Sequence, residues 1–179
     1  MLDLAVTLMV LGTLVAYVWS AKAHFRSDRL EAGAKLIAMM VFAMAALIAW
    51  LTWTVEQRPA VQLAGLSLQV IAFAVFWLAI RATRKARLLA AFTDANPETL
   101  VTTGPYRYVR HPFYTSYIVF WFGGALATGV WWMFVLAFGM LGIYWRAAQG
   151  EEARFAATAL ADEYAAFKKG RARFLPGIL

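Results

Sequence analysis

The sequence predicts an all-α integral membrane protein with five transmembrane helices, of which the last two form a helical hairpin, and a C-terminal cytoplasmic helix. Composition, the length of the apolar segments and the placement of the basic residues carry this prediction. The 179-residue chain is 63% hydrophobic and 15% charged, whereas soluble domains are roughly 45–50% apolar and about 25% charged. This length suits one domain, residues 1–179, with a three-span part at 1–80 and a second part at 100–179.

The first three spans are predicted at 2–20, 34–54 and 61–80. Each has about 20 residues, which is the length that a bilayer core requires. The first segment lacks a basic leader and carries Asp3, so we interpret it as a membrane helix rather than as a signal peptide. The sequence Gln-Arg-Pro at 57–59 predicts a tight turn between the second and third spans.

The fourth and fifth spans are predicted within 114–145, a segment without any charged residue. The segment is too long for one span and short for two. Gly123-Gly124 and Thr128-Gly129 each offer a turn near its middle. We expect a hairpin of two short or tilted helices rather than one very long helix, because glycines weaken a helix interior.

The basic residues support the count of five spans. They lie in the segments 21–35, 81–110 and 146–173, and only Arg58 lies elsewhere. Five spans place all three segments on one side of the membrane, which the positive-inside rule identifies as cytoplasmic, with the N-terminus outside. The net charge of +7 then reflects this asymmetry, and we expect no nucleic-acid partner. One span more or fewer would divide the basic segments between the two sides.

Two residue counts limit the chemistry. The chain has no cysteine, which excludes disulfides, thiolate metal sites and cysteine nucleophiles. Its two histidines, His24 and His111, lie far apart in the sequence, so we expect no metal site.

The polar segment GPYRYVRHPFYTSY, residues 104–117, contrasts with its apolar surroundings. Its opening Gly-Pro pair predicts a turn. His111-Pro112 predicts the start of the fourth span, because proline is favoured in the first helical turn. The first N–H groups of that helix, with Arg107 and Arg110 nearby, suit a negatively charged group. A membrane-surface anchor explains any one of these residues but not the whole run.

Two further polar clusters follow the hairpin. Glu151 and Glu152 are explained on their own by a solvated helix start, yet five spans place them on the same side as Arg110 and His111. A carboxylate pair facing arginine, histidine and tyrosine suits a zwitterionic or hydroxyl-bearing cofactor. The pattern of 146–169 predicts a helix ended by Gly170. The cluster KKGRAR at 168–173 is explained as well by contact with lipid headgroups as by a role in a site.

Three motifs in this order resemble the isoprenylcysteine carboxyl methyltransferase family, which belongs with the phospholipid methyltransferases. They are GPYRYVRHPFY, the Glu-Glu pair after the hairpin, and EYAAFKKGRARFLPGI at the C-terminus. The resemblance covers roughly 100–178, and the first three spans match only in hydropathy. It implies an integral membrane enzyme that uses S-adenosylmethionine, with the cofactor-binding and catalytic part at 100–179.

The family pattern also implies roles for particular residues. The cofactor pocket would be lined by Gly104, Pro105, Tyr106, Arg110, His111, Pro112 and Tyr114. Glu151 or Glu152 would bind the polar groups of the cofactor, and Glu152 is also a catalytic candidate. Arg171 or Arg173 would hold a substrate carboxylate, and two departures from the family pattern leave both pairs open: Gly-Arg-Ala at 170–172 stands where the family often has Arg-Val-Pro, and Leu-Ala at 160–161 replaces Phe-Gly.

The expected function is methyl transfer to a hydrophobic, membrane-borne acceptor, most directly carboxyl O-methylation of an isoprenylcysteine-like substrate. Aromatic faces suit a sulfonium cation, and the arginine fork suits a carboxylate. The expected partners are a lipophilic or prenylated small molecule and membrane lipid, with the oligomeric state left open, and a bacterial inner membrane is the expected location. The alternatives are N-methylation of an aminophospholipid headgroup, an NADPH-dependent sterol- or enone-type reductase, and a non-enzymatic scaffold.

Overall fold

The computed structural model describes residues 1–23, 32–84 and 99–177. The sequence also predicts a basic extension of the third helix at 81–92. Most of that extension, and the loop between the first two spans, lie outside the described residues. Six α-helices and one 3-10 helix occur in the described ranges: α1 (Leu2–Ala23), α2 (Ala32–Thr54), α3 (Pro59–Thr83), the 3-10 helix (Gly104–Arg107), α4 (Pro112–Thr128), α5 (Met133–Ala156) and α6 (Ala161–Lys168). The prediction of an all-α protein is therefore confirmed.

Three of these helices are long and apolar enough to cross a membrane. The qualifying segments are Leu2–Ala21, Leu36–Thr54 and Pro59–Thr83, within the part of the chain that the structure describes. Helix α4 has 17 residues, and α5 is charged from Arg146 onward. The helical membrane body is as expected, and the total of five spans stays a prediction.

The two predicted turns are present. Helix α2 ends at Thr54 and α3 begins at Pro59, as the Gln-Arg-Pro sequence indicated. Helix α4 ends at Thr128, followed by Gly129 in the left-handed conformation (φ 62°), which glycine adopts without steric cost. Of the two turn positions that the sequence offered, the chain thus uses the second.

The other glycine pair, Gly123-Gly124, lies inside α4 and serves packing instead. A Cβ atom on Gly123 would lie 2.9 Å from the carbonyl oxygen of Gly65, and a Cβ on Gly65 would clash with the backbone of Ala127. Helices α3 and α4 therefore approach each other with their backbones nearly in contact. Phe76, Phe120 and Trp121 are fully buried in the core beside this contact.

The predicted helix at 146–169 is two helices. Helix α5 ends at Ala156 and α6 begins at Ala161. The hydroxyl of Thr158 donates to the carbonyl of Phe155 (2.8 Å) and accepts from the N–H of Leu160 (3.2 Å), so a side chain takes over backbone hydrogen bonds at the break. Helix α6 is short, and Gly170 follows its end with φ 77°. The C-terminal cytoplasmic helix stays a prediction.

Candidate active site

The candidate site lies at the end of the bundle where α3 ends and α4 begins. Here the 3-10 helix packs on α3: Gly104 has φ 60°, and a Cβ built on it would lie 3.0 Å from the Cβ of Ala82. Both the backbone conformation and the close approach therefore favour glycine. The predicted Gly-Pro turn and the predicted start of α4 at Pro112 are both present.

The C-terminal tail runs beside the segment that precedes α4. Val109 and Ala172 form a parallel bridge. The N–H of Arg110 donates to the carbonyl of Ala172 (2.9 Å), and the N–H of His111 donates to that of Arg173 (3.2 Å). The Thr115 hydroxyl donates to the carbonyl of Phe174 (2.7 Å). The first and third sequence motifs are therefore joined through their backbones.

The carboxylate of Glu152 lies at the centre of the site, where it is 7% exposed. Arg110 Nε donates to its Oε1 (3.0 Å), and Arg173 binds both oxygens through Nε and Nη2 (3.1 Å each). His111 Nε2 lies 3.2 Å from Oε1 and Lys168 Nζ 3.3 Å from Oε2. We call Glu152 and these four cationic partners the Glu152 hub. Helix α5, the segment before α4, α6 and the tail all contribute to it.

The hub favours the charged forms of Glu152 and His111. Burial tends to raise the pKa of Glu152, but hydrogen bonds from His111 and Arg173 and the charge of Arg110 outweigh it, so the pKa is lowered. Burial tends to lower the pKa of His111, but its contacts with Glu151 and Glu152 outweigh it, so the pKa is raised. With His111 protonated, four cations face two carboxylates, and the site carries excess positive charge.

The two glutamates differ in how far they are engaged. Glu151 Oε2 lies 3.5 Å from His111 Nδ1, and its side chain is 39% exposed against 6% for that of Glu152. Burial tends to raise the pKa of Glu151. The hydrogen bond with His111 and the charge of His111 outweigh burial, so the pKa of Glu151 is lowered. Both glutamates are therefore carboxylates at neutral pH, but only Glu151 has an exposed side chain.

Aromatic rings extend from the hub into the membrane body. The ring of His111 stacks on Tyr114 (centroids 5.5 Å apart), and Tyr114 stacks on Tyr144 (5.7 Å). The guanidinium of Arg173 lies 4.4 Å above the ring of Trp145, and Phe174 packs edge-on against that ring (5.9 Å). Such rings offer faces to a cation.

The structure separates the two candidate arginines of the tail. Arg173 is part of the hub, whereas the guanidinium of Arg171 lies 4.5 Å above the ring of Phe167 and donates to the carbonyl of Phe167 (2.7 Å). Only the backbone carbonyl of Arg171 reaches the hub, where it accepts from Arg110 Nη1. The hub therefore brings Arg173, and not the side chain of Arg171, to Glu152.

The remaining predicted residues lie around the hub. Tyr114 and Glu151 contact His111, and Pro112 is the first residue of α4. Tyr106 is buried in a separate aromatic cluster with Phe155, Tyr164 and Phe167. Sequence reasoning did not assign Lys168, Tyr144 or Trp145 to the site. The helical period offered a signal for the last two, because positions 144 and 145 precede Glu151 and Glu152 by seven residues and so share their face of α5.

The fold and the site define a helical membrane protein with a charged site at one end of its bundle. The sequence model of the phospholipid methyltransferase family matches residues 60–163, more than half of the chain, from the start of α3 into α6. The protein therefore belongs to the phospholipid methyltransferase family, in agreement with the resemblance to membrane methyltransferases. Comparison with curated proteins and with solved structures yields no match.

Proposed function

We propose that this protein transfers a methyl group from S-adenosylmethionine to a hydrophobic acceptor held in the membrane. Family membership supports methyl transfer in a membrane, and S-adenosylmethionine is the methyl donor expected for the family. The observation that carries the proposal is the Glu152 hub. It gathers Arg110, His111 and Glu152 from the matched region and adds Lys168 from the end of α6 and Arg173 from the tail.

The residues present fit such a cofactor. Its amino-acid end carries a carboxylate and an ammonium group, which suit the cations of the hub and the carboxylate of Glu151. Both oxygens of Glu152 already accept from arginine, so we assign ligand binding to Glu151 and the positioning of Arg110, His111 and Arg173 to Glu152. When bound, the cofactor supplies an activated methyl group, and the protein supplies position and a suitable electrostatic environment.

We favour a carboxylate as the methyl acceptor, as in an isoprenylcysteine-like substrate. A carboxylate is already a nucleophile: its oxygen forms the new bond to carbon as the bond from carbon to sulfur breaks, and no proton has to leave. The lowered pKa of both glutamates makes them weak bases, and the raised pKa of His111 favours its protonated form, which cannot accept a proton. The excess positive charge, with Lys168 half exposed, favours an anionic group.

The second candidate is N-methylation of an aminophospholipid headgroup, which the family description supports about equally. An ammonium group must lose a proton before or during the transfer. The exposed carboxylate of Glu151 is the group in the site best placed to accept it, although its lowered pKa makes it a weak base. The family assignment gives no support to the reductase and scaffold alternatives.

We further propose that the site faces the cytoplasm, with the N-terminus outside, in a bacterial inner membrane. Arg110, Lys168 and Arg173 lie at the site end. At the opposite end, Asp3 near the N-terminus accepts a hydrogen bond from Gln62, close to the turn that holds Arg58. The positive-inside rule then assigns the site end to the cytoplasm.

The proposal is tested by labelled-methyl transfer with the purified protein in detergent. Acceptors are lipid extracts, prenylated thiols that carry a carboxylate, and aminophospholipids, and mass analysis identifies the product. A methyl ester is expected, and N-methylated lipid would establish the second candidate. No transfer to any acceptor, together with no binding of S-adenosylhomocysteine, would contradict the proposal.

Variants then test the roles of the residues. His111→Ala and Glu152→Ala should abolish transfer while the protein still inserts into the membrane, and normal turnover in both would remove the hub from the mechanism. Arg173→Ala should raise KM for the acceptor more than it weakens cofactor binding. Arg58→Ala, at the opposite end, is the control and should leave both unchanged.

A further inference from the structure

The buried hydroxyl of Tyr164, in α6, has no hydrogen-bond partner among the described residues. Tyr164 is 5% exposed. A buried donor left unpaired costs roughly 1–3 kcal/mol, and buried polar groups in folded proteins nearly always have a partner. An unpaired hydroxyl beside a candidate ligand site therefore indicates a partner that arrives with the ligand.

The ring that carries this hydroxyl is held firmly in place. It stacks on Phe155 with centroids 4.5 Å apart and planes 7° from parallel, and it packs on Phe167 at 5.9 Å. Tyr106, from the 3-10 helix, completes the buried aromatic cluster. Turning the hydroxyl out to water would break these contacts, so the hydroxyl is fixed where it is.

The aromatic cluster of Tyr164 adjoins the Glu152 hub, because Phe155 of that cluster lies three residues after Glu152 on α5 and shares its face. Burial raises the pKa of Tyr164, and the charge of Glu152 raises it further, while Arg110 acts in the opposite direction. A second buried polar atom without a partner in the described residues is Arg171 Nε, in the tail that follows α6. The guanidinium of Arg171 lies above the ring of Phe167. Two unpaired polar atoms thus border one set of aromatic rings.

We propose that the Tyr164 hydroxyl binds the nucleoside part of S-adenosylmethionine. The inference rests on the proposed function and assigns the two ends of that cofactor to different surroundings. Its charged amino-acid end suits the hub, and its flat, neutral, hydrogen-bonding nucleoside suits a border of aromatic rings with unpaired donors. Tyr164 is then a cofactor-binding residue of the third motif that the sequence analysis did not assign to the site.

The test is Tyr164→Phe, which removes one oxygen atom and keeps the ring. Because that oxygen is unpaired without ligand, the melting temperature of the ligand-free protein should stay the same or rise. Binding of S-adenosylhomocysteine, measured by calorimetry in detergent, should weaken about 3- to 10-fold, the value of one net hydrogen bond. Binding of 5′-methylthioadenosine, which keeps the nucleoside and lacks the amino acid, should weaken by the same factor.

Tyr108→Phe is the matched control, because Tyr108 is 67% exposed; it should change neither quantity. A lower melting temperature with unchanged affinity in Tyr164→Phe would overturn the inference and show a structural role. Methylthioadenosine binding that is absent, or that the substitution leaves unchanged, would overturn the assignment to the nucleoside. If the unaltered protein binds no S-adenosylhomocysteine, this inference fails, and the proposed function fails with it when no methyl transfer occurs either. Equal binding by both proteins sinks this inference alone.

Discussion

The two ends of the helical bundle are held together by different forces. At the far end, where α2 turns into α3 and α4 into α5, Gly65 lets the backbone of α3 meet that of α4 at Ala127. Side-chain hydrogen bonds there run from Gln62 Nε2 to Asp3 Oδ1 (2.7 Å), linking α3 to α1, and from Trp53 Nε1 to Thr7 Oγ1 (2.9 Å), linking α2 to α1. At the site end, four cations surround Glu152. Shape holds the far end, and charge holds the site end.

The difference indicates which end is built for a ligand. A buried ion pair is weak evidence for stability, because removing charges from water offsets much of their attraction. An end that needed only to be stable would use close packing, as the far end does. A cluster with surplus positive charge and an exposed carboxylate instead fits a site whose charge balance a ligand completes.

The largest effect is expected from Glu152→Gln, which removes the one charge that holds the site end together. Arg110, Arg173 and Lys168 would then repel one another with no negative charge between them, and the glutamine amide would accept through only one oxygen. We expect a loss of about 3 kcal/mol in the free energy of unfolding and loss of methyl transfer. Denaturant titration in detergent measures the first, and labelled-methyl transfer the second.

Glu56→Gln is the control at the far end. Glu56 is exposed, and its substitution should change stability by less than about 0.5 kcal/mol. Equal losses in the two variants would contradict the contrast between the ends.

Gly65→Ala tests whether shape holds the far end. The added Cβ would meet the backbone of Ala127 and the carbonyl oxygen of Gly123, and backbone cannot give way as a side chain does. We expect a loss of about 2 kcal/mol with unchanged cofactor affinity, measured by melting temperature and calorimetry. Gly12→Ala is the control: nothing lies within 4 Å of its Cβ position, so it should stabilise α1 slightly. A Gly65→Ala protein as stable as the Gly12→Ala protein would refute the close contact.

Gln62→Leu tests the hydrogen bond from Gln62 to Asp3 at the far end. Gln62 is 4% exposed, and leucine fills similar space but leaves Asp3 without its donor. We expect a loss of about 1 kcal/mol and no change in methyl transfer. Ser67→Ala, which removes an exposed hydroxyl of the same helix, should cost less. A marked fall in transfer would mean that the two ends are coupled.

The fold was predictable wherever local pattern decides it. Apolar length located α1, α2 and α3, proline located the turn at Pro59, and glycine offered Gly129 as one of two positions for the second turn. The break after Ala156 was not predictable, because apolar periodicity runs on through Phe155, Tyr164 and Phe167, which do form one cluster. A hydroxyl that bonds backbone groups at Thr158 decides the break, and periodicity does not record such a bond.

Part of the candidate site was predictable, without Lys168, Tyr144 and Trp145, but the division of roles among its residues was not. Topology and motif order brought Arg110, His111 and Glu152 together. The choice between Arg171 and Arg173 depends on how the tail lies beside 109–111, which backbone hydrogen bonds between distant segments determine. The unequal exposure of Glu151 and Glu152 depends on how α5 is rotated about its axis. The sequence does not show this rotation, because the two neighbouring residues are of the same type.

The smallest expected effect is a pH dependence that belongs to the site end alone. The pKa of His111 is raised in the folded protein above a value near 6.5 in the unfolded chain. Its contribution to stability is therefore fully present below about pH 6.5 and is lost as pH rises through the folded value. The pKa of Glu152 is lowered, so its contribution is present above about pH 4.3 and is lost as pH falls towards the folded value. The melting temperature should thus fall on both sides of a maximum between these limits. His111→Gln should flatten the alkaline side and weaken the acid side less, because Arg173 and Arg110 still lower the pKa of Glu152. Gln62→Leu should keep the full profile while shifting it down, because no hub contact changes. If the melting temperature of His111→Gln still falls on the alkaline side, another group causes that fall. The assignment of the alkaline pH dependence to His111 would then be wrong.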